Sequence, residues 1–285
     1  MVWWFLGLVC LCLIGWGVCS AHRVLYPERH PLSPPATLPP YTIHTITAPD
    51  HARFETWVLT PTSPRASLLL CHGYYANRCQ VMDLAKGLYD RGYEVMLFEL
   101  RGHGQRPGPC TLGIKEAEDA LALLAWCRTR QDPQPLPIGV LGVSMGAAVA
   151  CQMALRAPDV RAVVVDSPYS KLFPVLAQAI RQRYHVPAFP LAWVTWGCLH
   201  VALKRWLASV DPAALAPRLR QPLFAIQGGE DRRVVPLLGW EFYERWAGPK
   251  ERWFEPDVAH ARMFAQHPQE YCNRVASFFD RMLAG

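Results

Sequence analysis

Ile138-Gly139-Val140-Leu141-Gly142-Val143-Ser144-Met145-Gly146 (138–146) runs directly into Ala147-Ala148-Val149-Ala150. The apolar run has the length of a buried strand, and the small-residue stretch after it has the composition of a tightly packed helix. Between them stands G-x-S-x-G, the pattern of a nucleophile elbow. Such a turn strains the serine backbone and leaves the hydroxyl exposed above the sheet. Side chains flanking a turn this sharp would collide, and glycine removes them. Three fixed positions recur by chance in a long chain. The strand before and the helix after are what mark Ser144 as a candidate nucleophile rather than an ordinary turn serine.

A serine hydroxyl is a poor nucleophile at neutral pH and needs a base, which in turn needs an orienting acid. In sites built on such an elbow, the acid and then the base follow the serine along the chain. Pro222–Gln227 reads as a buried strand that ends in Gly228-Gly229-Glu230-Asp231. A carboxylate on a glycine turn just past a strand can point into a site at the sheet edge, so Asp231 is the expected acid. Glu230 beside it and Asp166, after the strand Ala162–Val165, are alternatives. A further short strand, Glu251–Phe254, precedes Asp257-Val258-Ala259-His260, and a helix is expected from about Pro268 to Leu283. This places His260 as the expected base. His22, His30, His44 and His51 lie before the core, and His267 is expected to open the last helix at the surface.

Acyl transfer also needs two backbone N–H donors for the developing oxyanion. The residue after the nucleophile, Met145, supplies one. The second is expected from the loop His72-Gly73-Tyr74-Tyr75 after the strand Ser67–Cys71, at the Tyr74 amide, with Gly73 permitting the close turn. His72 is read as a support for that loop. Arg101 and His103 are read as organising the loop after the next strand.

The pieces L-L-C-H-G-Y (69–74), F-E-L-R-G-H-G (98–104), G-V-S-M-G (142–146), D-S-P-Y (166–169), G-G-E-D (228–231) and A-H (259–260) come in an order that resembles the α/β-hydrolase superfamily across about residues 43–284. R-G-H-G and S-M-G resemble monoacylglycerol-lipase and lysophospholipase relatives. The apolar N-terminus followed by Tyr26-Pro27 is closer to the membrane-anchored, serine-aminopeptidase-like branch. The His72-Gly73-Tyr74 loop differs from the glycine-rich loop of hormone-sensitive-lipase relatives. Serine at 144, where epoxide hydrolases and haloalkane dehalogenases carry aspartate, argues against those branches.

With 285 residues, 51% of them hydrophobic, the chain can build one sizeable core plus an anchor. Its net charge of +6 is scattered rather than gathered into a Lys/Arg run, so nucleic acid is not an expected partner. Of ten cysteines, Cys10, Cys12 and Cys19 fall in the apolar N-terminus and seven in the body, without tight spacing. An odd body count argues against a disulfide framework, and no C-x-x-C or histidine-rich spacing suggests a metal. Neither a metal nor an organic cofactor is expected.

Val2–Val18 carries no charged residue and contains Trp3, Trp4, Phe5 and Trp16. A membrane span needs about 20 largely apolar residues, with a lower limit near 17. Residues 1–20 are therefore read as a transmembrane anchor, with a cleaved signal peptide as the rival because Val18-Cys19-Ser20 resembles a small-residue cleavage site. A signal normally has positive charge before its apolar core, and here none precedes it. Arg23 and Arg29 on the C-terminal side lean the catalytic domain toward the cytoplasm. Residues 21–42 read as a proline-rich linker and 43–285 as the hydrolase domain.

Within that domain, strands at 54–59, 67–71, 94–99, 138–141 and 162–165 alternate with helices at 80–90, 115–130 and 145–156. This implies a mainly parallel sheet covered on both faces. Residues about 168–209 interrupt the alternation with helical stretches at 170–184 and 191–208, read as an inserted cap. The second is unusually apolar. It is either an interfacial lid over an acyl pocket or a helix packed on the core.

Three activities are compatible with this reading. The leading one is a serine hydrolase for a carboxylic ester or thioester with an acyl, lipid-like part. A serine-aminopeptidase-like peptidase is the second, although Tyr169–Val210 contains no acid to hold a free amine. The third is a catalytically silent binding protein on the same fold.

Overall fold

The computed structural model describes residues 2–35, 37–130 and 135–284. The strands are β1 (Thr42–Thr47), β2 (Arg53–Leu59), β3 (Ser67–Cys71), β4 (Glu94–Phe98), β5 (Ile138–Val143), β6 (Val160–Asp166), β7 (Leu223–Gly228) and β8 (Lys250–Glu255). They form one sheet in the order β1-β2-β4-β3-β5-β6-β7-β8. β1 and β2 pair antiparallel, β2 is antiparallel to β4, and the rest is parallel. The described helices are α1 (Val2–Leu25), α2 (Met82–Tyr89), α3 (Ile114–Thr129), α4 (Met145–Arg156), α5 (Leu172–Tyr184), α6 (Leu191–Leu203), α7 (Pro212–Leu215), α8 (Pro236–Arg245), α9 (Met263–Gln266) and α10 (Pro268–Leu283).

Side chains alternate across a strand, so a strand covered on both faces must be apolar at every position. β3 shows the division. Leu68 and Leu70 join the layer of α2 and α10, with Leu84, Leu88, Val275 and Phe278. Leu69 and Cys71 face the other layer, with Ala120, Leu124, Val149 and Phe242 of α3, α4 and α8. The small residues of α4 let its axis lie close to β5 and β6. This is the α/β-hydrolase arrangement, and it brings the C-terminal ends of β3, β5, β7 and β8 to one edge.

Several elements differ from the sequence expectation. β1 was not expected, although Thr42-Ile43-His44-Thr45-Ile46-Thr47 is rich in β-branched residues and only Ile46 of its side chains is buried. α8 was also missed, despite a proline at its first turn. The second cap helix ends at Leu203 rather than 208, because Lys204 turns left-handed at φ 50° and the chain continues as a short 3-10 turn, Leu207–Val210. The first helix continues through Leu25, so residues 21–25 of the expected linker are helical. Ser20, Ala21 and Leu25 of its last turns are buried.

α1 is long and apolar enough to cross a membrane, with a mean hydropathy of 2.2 over its best window. Its first turns project from the body, and Trp3 and Trp4 are more than four-fifths exposed. Its C-terminal half packs on the cap. A Cβ added at Gly17 would stand 2.6 Å from Val194 Cγ1 and 2.9 Å from Cys198 Sγ of α6. Trp16 meets Tyr184 edge to face at 4.6 Å between centroids. Two carbonyls of the last turn, which a helix leaves without internal partners, are satisfied from the body. Tyr74 Oη donates to Val24 O at 2.8 Å, and the Cys110 amide donates to Leu25 O at 2.7 Å.

Candidate active site

Ser144 sits at the junction of β5 and α4 with φ 53° and ψ −112°. A residue with a side chain pays on the order of 1–3 kcal/mol for such a backbone. The surrounding packing holds it there. A Cβ at Gly142 would lie 2.1 Å from Gly146 O, and one at Gly146 would lie 2.3 Å from Cys71 O. Both glycines are therefore demanded by close backbone approach, between strand and helix in one case and between helix and β3 in the other. The Ser144 amide donates to Asp166 O at 2.8 Å, which ties the elbow to β6.

The turn after β7 works in a similar way. A Cβ at Gly228 would meet Val258 O at 2.1 Å, and one at Gly229 would meet Pro256 O at 2.4 Å. These two glycines let the β7 turn lie against the loop after β8, and Asp231 and His260 meet there. His260 Nδ1 lies 2.6 Å from Asp231 Oδ2, and His260 Nε2 lies 3.0 Å from Ser144 Oγ. Asp231 is buried, and its Oδ1 accepts from the amides of Arg233 (3.0 Å) and Val234 (2.8 Å), which fixes the carboxylate plane. Glu230 gives its amide to Val258 O, and Asp231 rather than Glu230 is hydrogen-bonded to His260.

The loop after β3 passes beside the serine: a Cβ at Gly73 would come 3.5 Å from Ser144 Cβ. Tyr74 follows it. Met145 opens α4, where the first N–H groups have no intrahelical acceptor and the helix dipole is positive. Burial holds the Tyr74 phenol well above its ordinary value, so it stays a hydrogen-bond donor. His72 is fully buried. The Leu100 amide donates to its Nε2 at 3.0 Å, so its proton is on Nδ1, which donates to Gly73 O at 2.8 Å. Burial pushes its pKa down to about 3, which keeps the ring neutral as a clamp between the β3 and β4 loops. Arg101 binds both Asp50 and Asp119 and organises the β4 loop, and Gly104 leaves room for Glu99 there.

Asp166 is not hydrogen-bonded to His260 and has another place. Its carboxylate accepts from Ser167 Oγ (2.8 Å) and Tyr271 Oη (3.1 Å), and Ser167 Oγ accepts from the Ala261 amide at 2.9 Å. These bonds hold the residue after His260. Sequence reasoning weighed Asp166 only as an acid and missed this support, because it depends on Ser167 at φ 53° and on Tyr271 arriving from α10. Burial pushes the Asp166 pKa up to about 6 from 3.8. The folded chain therefore binds this proton more tightly than the unfolded chain. Its stabilising effect is complete below 3.8 and is lost as pH rises through about 6. Asp166→Asn removes that loss. Urea unfolding at about pH 4 and about pH 7 should show the variant gaining on the wild type by on the order of 3 kcal/mol at the higher pH.

Fold and site together define an α/β hydrolase. The sequence matches the family described as serine aminopeptidase, S33, over residues 62–214. The chain belongs to that family. It is 30% identical over 241 residues to the uncharacterized protein Rv2307c of Mycobacterium tuberculosis, covering 83% of this chain and 79% of that one. The esterase Pf2001 of Pyrococcus furiosus superposes with a TM-score of 0.74 at 27% identity, covering 92% of this chain and 98% of that one. The acylaminoacyl peptidase of Pyrococcus horikoshii shares the fold, with a TM-score of 0.66 at 15% identity over 87% of this chain and 42% of that one.

Proposed function

We propose that the chain is a membrane-anchored serine hydrolase that cleaves carboxylic esters or thioesters of an apolar acyl group. The observation that carries this reading is the hydrogen-bonded series Asp231–His260–Ser144, at 2.6 and 3.0 Å. Asp231 holds the imidazole with its proton on Nδ1, leaving Nε2 free to accept. Ser144 Oγ attacks the acyl carbon while its proton passes to His260 Nε2. The tetrahedral oxyanion receives the Tyr74 and Met145 amides and the positive end of α4. Collapse expels an alcohol or thiol, which takes the proton from His260. Water then repeats the sequence to release the acid.

The esterase likeness supports an ester substrate. The family's description favours a second reading, a peptidase. The cap supports the first, since Tyr169–Val210 contains no carboxylate to pair with a free amino terminus. In this reading α1 is the anchor, 43–285 the catalytic domain and about 168–209 its cap. Arg23 and Arg29 favour the cytoplasmic side.

A fluorophosphonate probe tests the chemistry. The folded wild type should be labelled, and Ser144→Ala, with an unchanged melting curve, should not. Absence of labelling on folded wild type would overturn the hydrolase reading in favour of a binding protein. Acyl esters should then turn over faster than aminoacyl anilides, and the reverse order would assign the peptidase.

A further inference from the structure

The cap carries large apolar side chains on its outside. Ala192, Thr195 and Leu199 of α6 face inward. Trp193 is 59% exposed, Phe189 74%, Trp206 68% and Val201 78%. The aromatic rings form a continuous series: Trp193 meets Phe173 at 4.6 Å, Phe173 meets Trp196 at 5.5 Å, Trp196 meets His200 at 4.8 Å, and His200 meets Trp206 at 4.6 Å. Water alone gives no reason for such a surface.

Two observations indicate what covers it. The first is charge. Between 169 and 210 stand Arg181, Arg183, Lys204 and Arg205, together with Lys171, which pairs with Glu241 of α8, and no Asp or Glu. The second is continuity with α1. Gly17 of α1 seats directly on Val194 and Cys198 of α6, so any bilayer that holds α1 approaches α6 as well. A groove of about 320 Å³, lined by Cys12, Trp16, Cys19, Arg23 and Tyr184, runs between α1 and the end of α5. A second copy of the chain would bring the same positive face against itself, which like charges oppose. An apolar aromatic face with basic residues at its margin is the composition of segments that lie in the membrane interface.

We propose that the cap face around Phe189, Trp193, Val201 and Trp206 lies in the interfacial layer of an anionic bilayer, with Lys204 and Arg205 at the headgroups. This rests on the reading of α1 as membrane-embedded. It adds that the cap, and not the anchor alone, is immersed. The aromatic side chains sit at the boundary between headgroups and acyl chains, where an apolar ring is out of water and an indole N–H keeps polar company. The covered site then faces the lipid phase, so its substrates are esters partitioned into the membrane.

The test uses the full chain reconstituted in vesicles of phosphatidylcholine and phosphatidylglycerol. A photoreactive benzoylphenylalanine is placed singly at Trp193, Trp206, Trp4 and Arg220. Arg220 is exposed in the turn that leads into β7, at the N-terminal end of the parallel strands and away from the cap. Phospholipid adducts are expected at positions 193 and 206 and not at 220. The adduct at 206 should fall about fivefold when phosphatidylglycerol is left out. A yield indifferent to phosphatidylglycerol overturns the assignment of Lys204 and Arg205 to headgroups. Adducts to a second copy at 193 and 206 overturn the proposal in favour of self-association. Lipid adducts at Trp4 without any at 193 or 206 overturn the docking and leave the anchor standing. Adducts at 206 without any at Trp4 overturn the reading of α1 as membrane-embedded, and with it this proposal. Adducts at neither overturn both.

Discussion

His260→Ala is expected to lower ester turnover on the order of 10^5- to 10^6-fold, close to the loss from Ser144→Ala, with the double variant scarcely worse. In the proposed mechanism the three residues act as one unit: without the imidazole, the Ser144 proton has no acceptor at 3.0 Å. Asp231→Asn is the sharper variant. Its side-chain oxygen must face the Arg233 and Val234 amides, which Oδ1 of the aspartate already accepts. The amide NH2 then points at His260 Nδ1 and forces the imidazole proton onto Nε2. An imidazole in that tautomer presents a proton to Ser144 and cannot take one. Turnover should fall roughly 10^4-fold with little change in stability or in KM. Steady-state kinetics on a short acyl ester, beside a thermal melt, checks both variants. An Asp231→Asn enzyme retaining a tenth or more of its activity, as an order-of-magnitude limit, would mean that another group orients His260.

Gly146→Ala should damage fold and chemistry together. The new methyl would lie 2.3 Å from Cys71 O and 2.7 Å from His72 O, both backbone atoms that cannot rotate away. Relief requires α4 to move away from β3 by more than half an ångström, on the order of the gap to an ordinary contact. That displacement separates the Met145 and Tyr74 amides, the two donors proposed for the oxyanion. A stability loss of about 3 kcal/mol or more is expected, within the range of overpacked sites. In whatever protein folds, kcat should fall by about 10^2 to 10^3, the effect of losing one oxyanion donor. Denaturant melts and active-site titration with the fluorophosphonate separate the two. Full kcat per titrated site would show that the Met145 amide is not needed.

Much of this arrangement can be read from the sequence because the residues that demand it are local. The elbow announces itself by glycines two positions either side of a serine, and the β7 turn by Gly228-Gly229 ahead of Asp231. Both pairs reflect backbone contact, which a sequence displays as absent side chains. The central parallel strands β3, β5 and β7 are legible as largely apolar runs, whereas the parallel edge strand β8, Lys250–Glu255, is mostly charged. β1 is less legible, since an edge strand with one buried side chain need not be apolar. The support of His260 by Asp166, Ser167 and Tyr271 joins residues 94 and 105 positions apart, and no local pattern encodes that distance. The union of α1 with the cap is equally hidden: Gly17 in an apolar helix looks like any other small residue until Val194 and Cys198 lie across it.

The burial of Ser20, Ala21 and Leu25 in the last turns of α1 bears on how the nascent chain matures. A signal protease cutting near Cys19-Ser20 would sever a helix whose remaining turn is docked in the body. The cut would leave a charged ammonium beside buried groups and strip Gly17 from its seat on α6. Burying such a charge without a partner costs several kcal/mol. Val18 and Cys19 themselves stay exposed, so a cut there would cost the folded chain the contact of α1 with α6 rather than be blocked by burial.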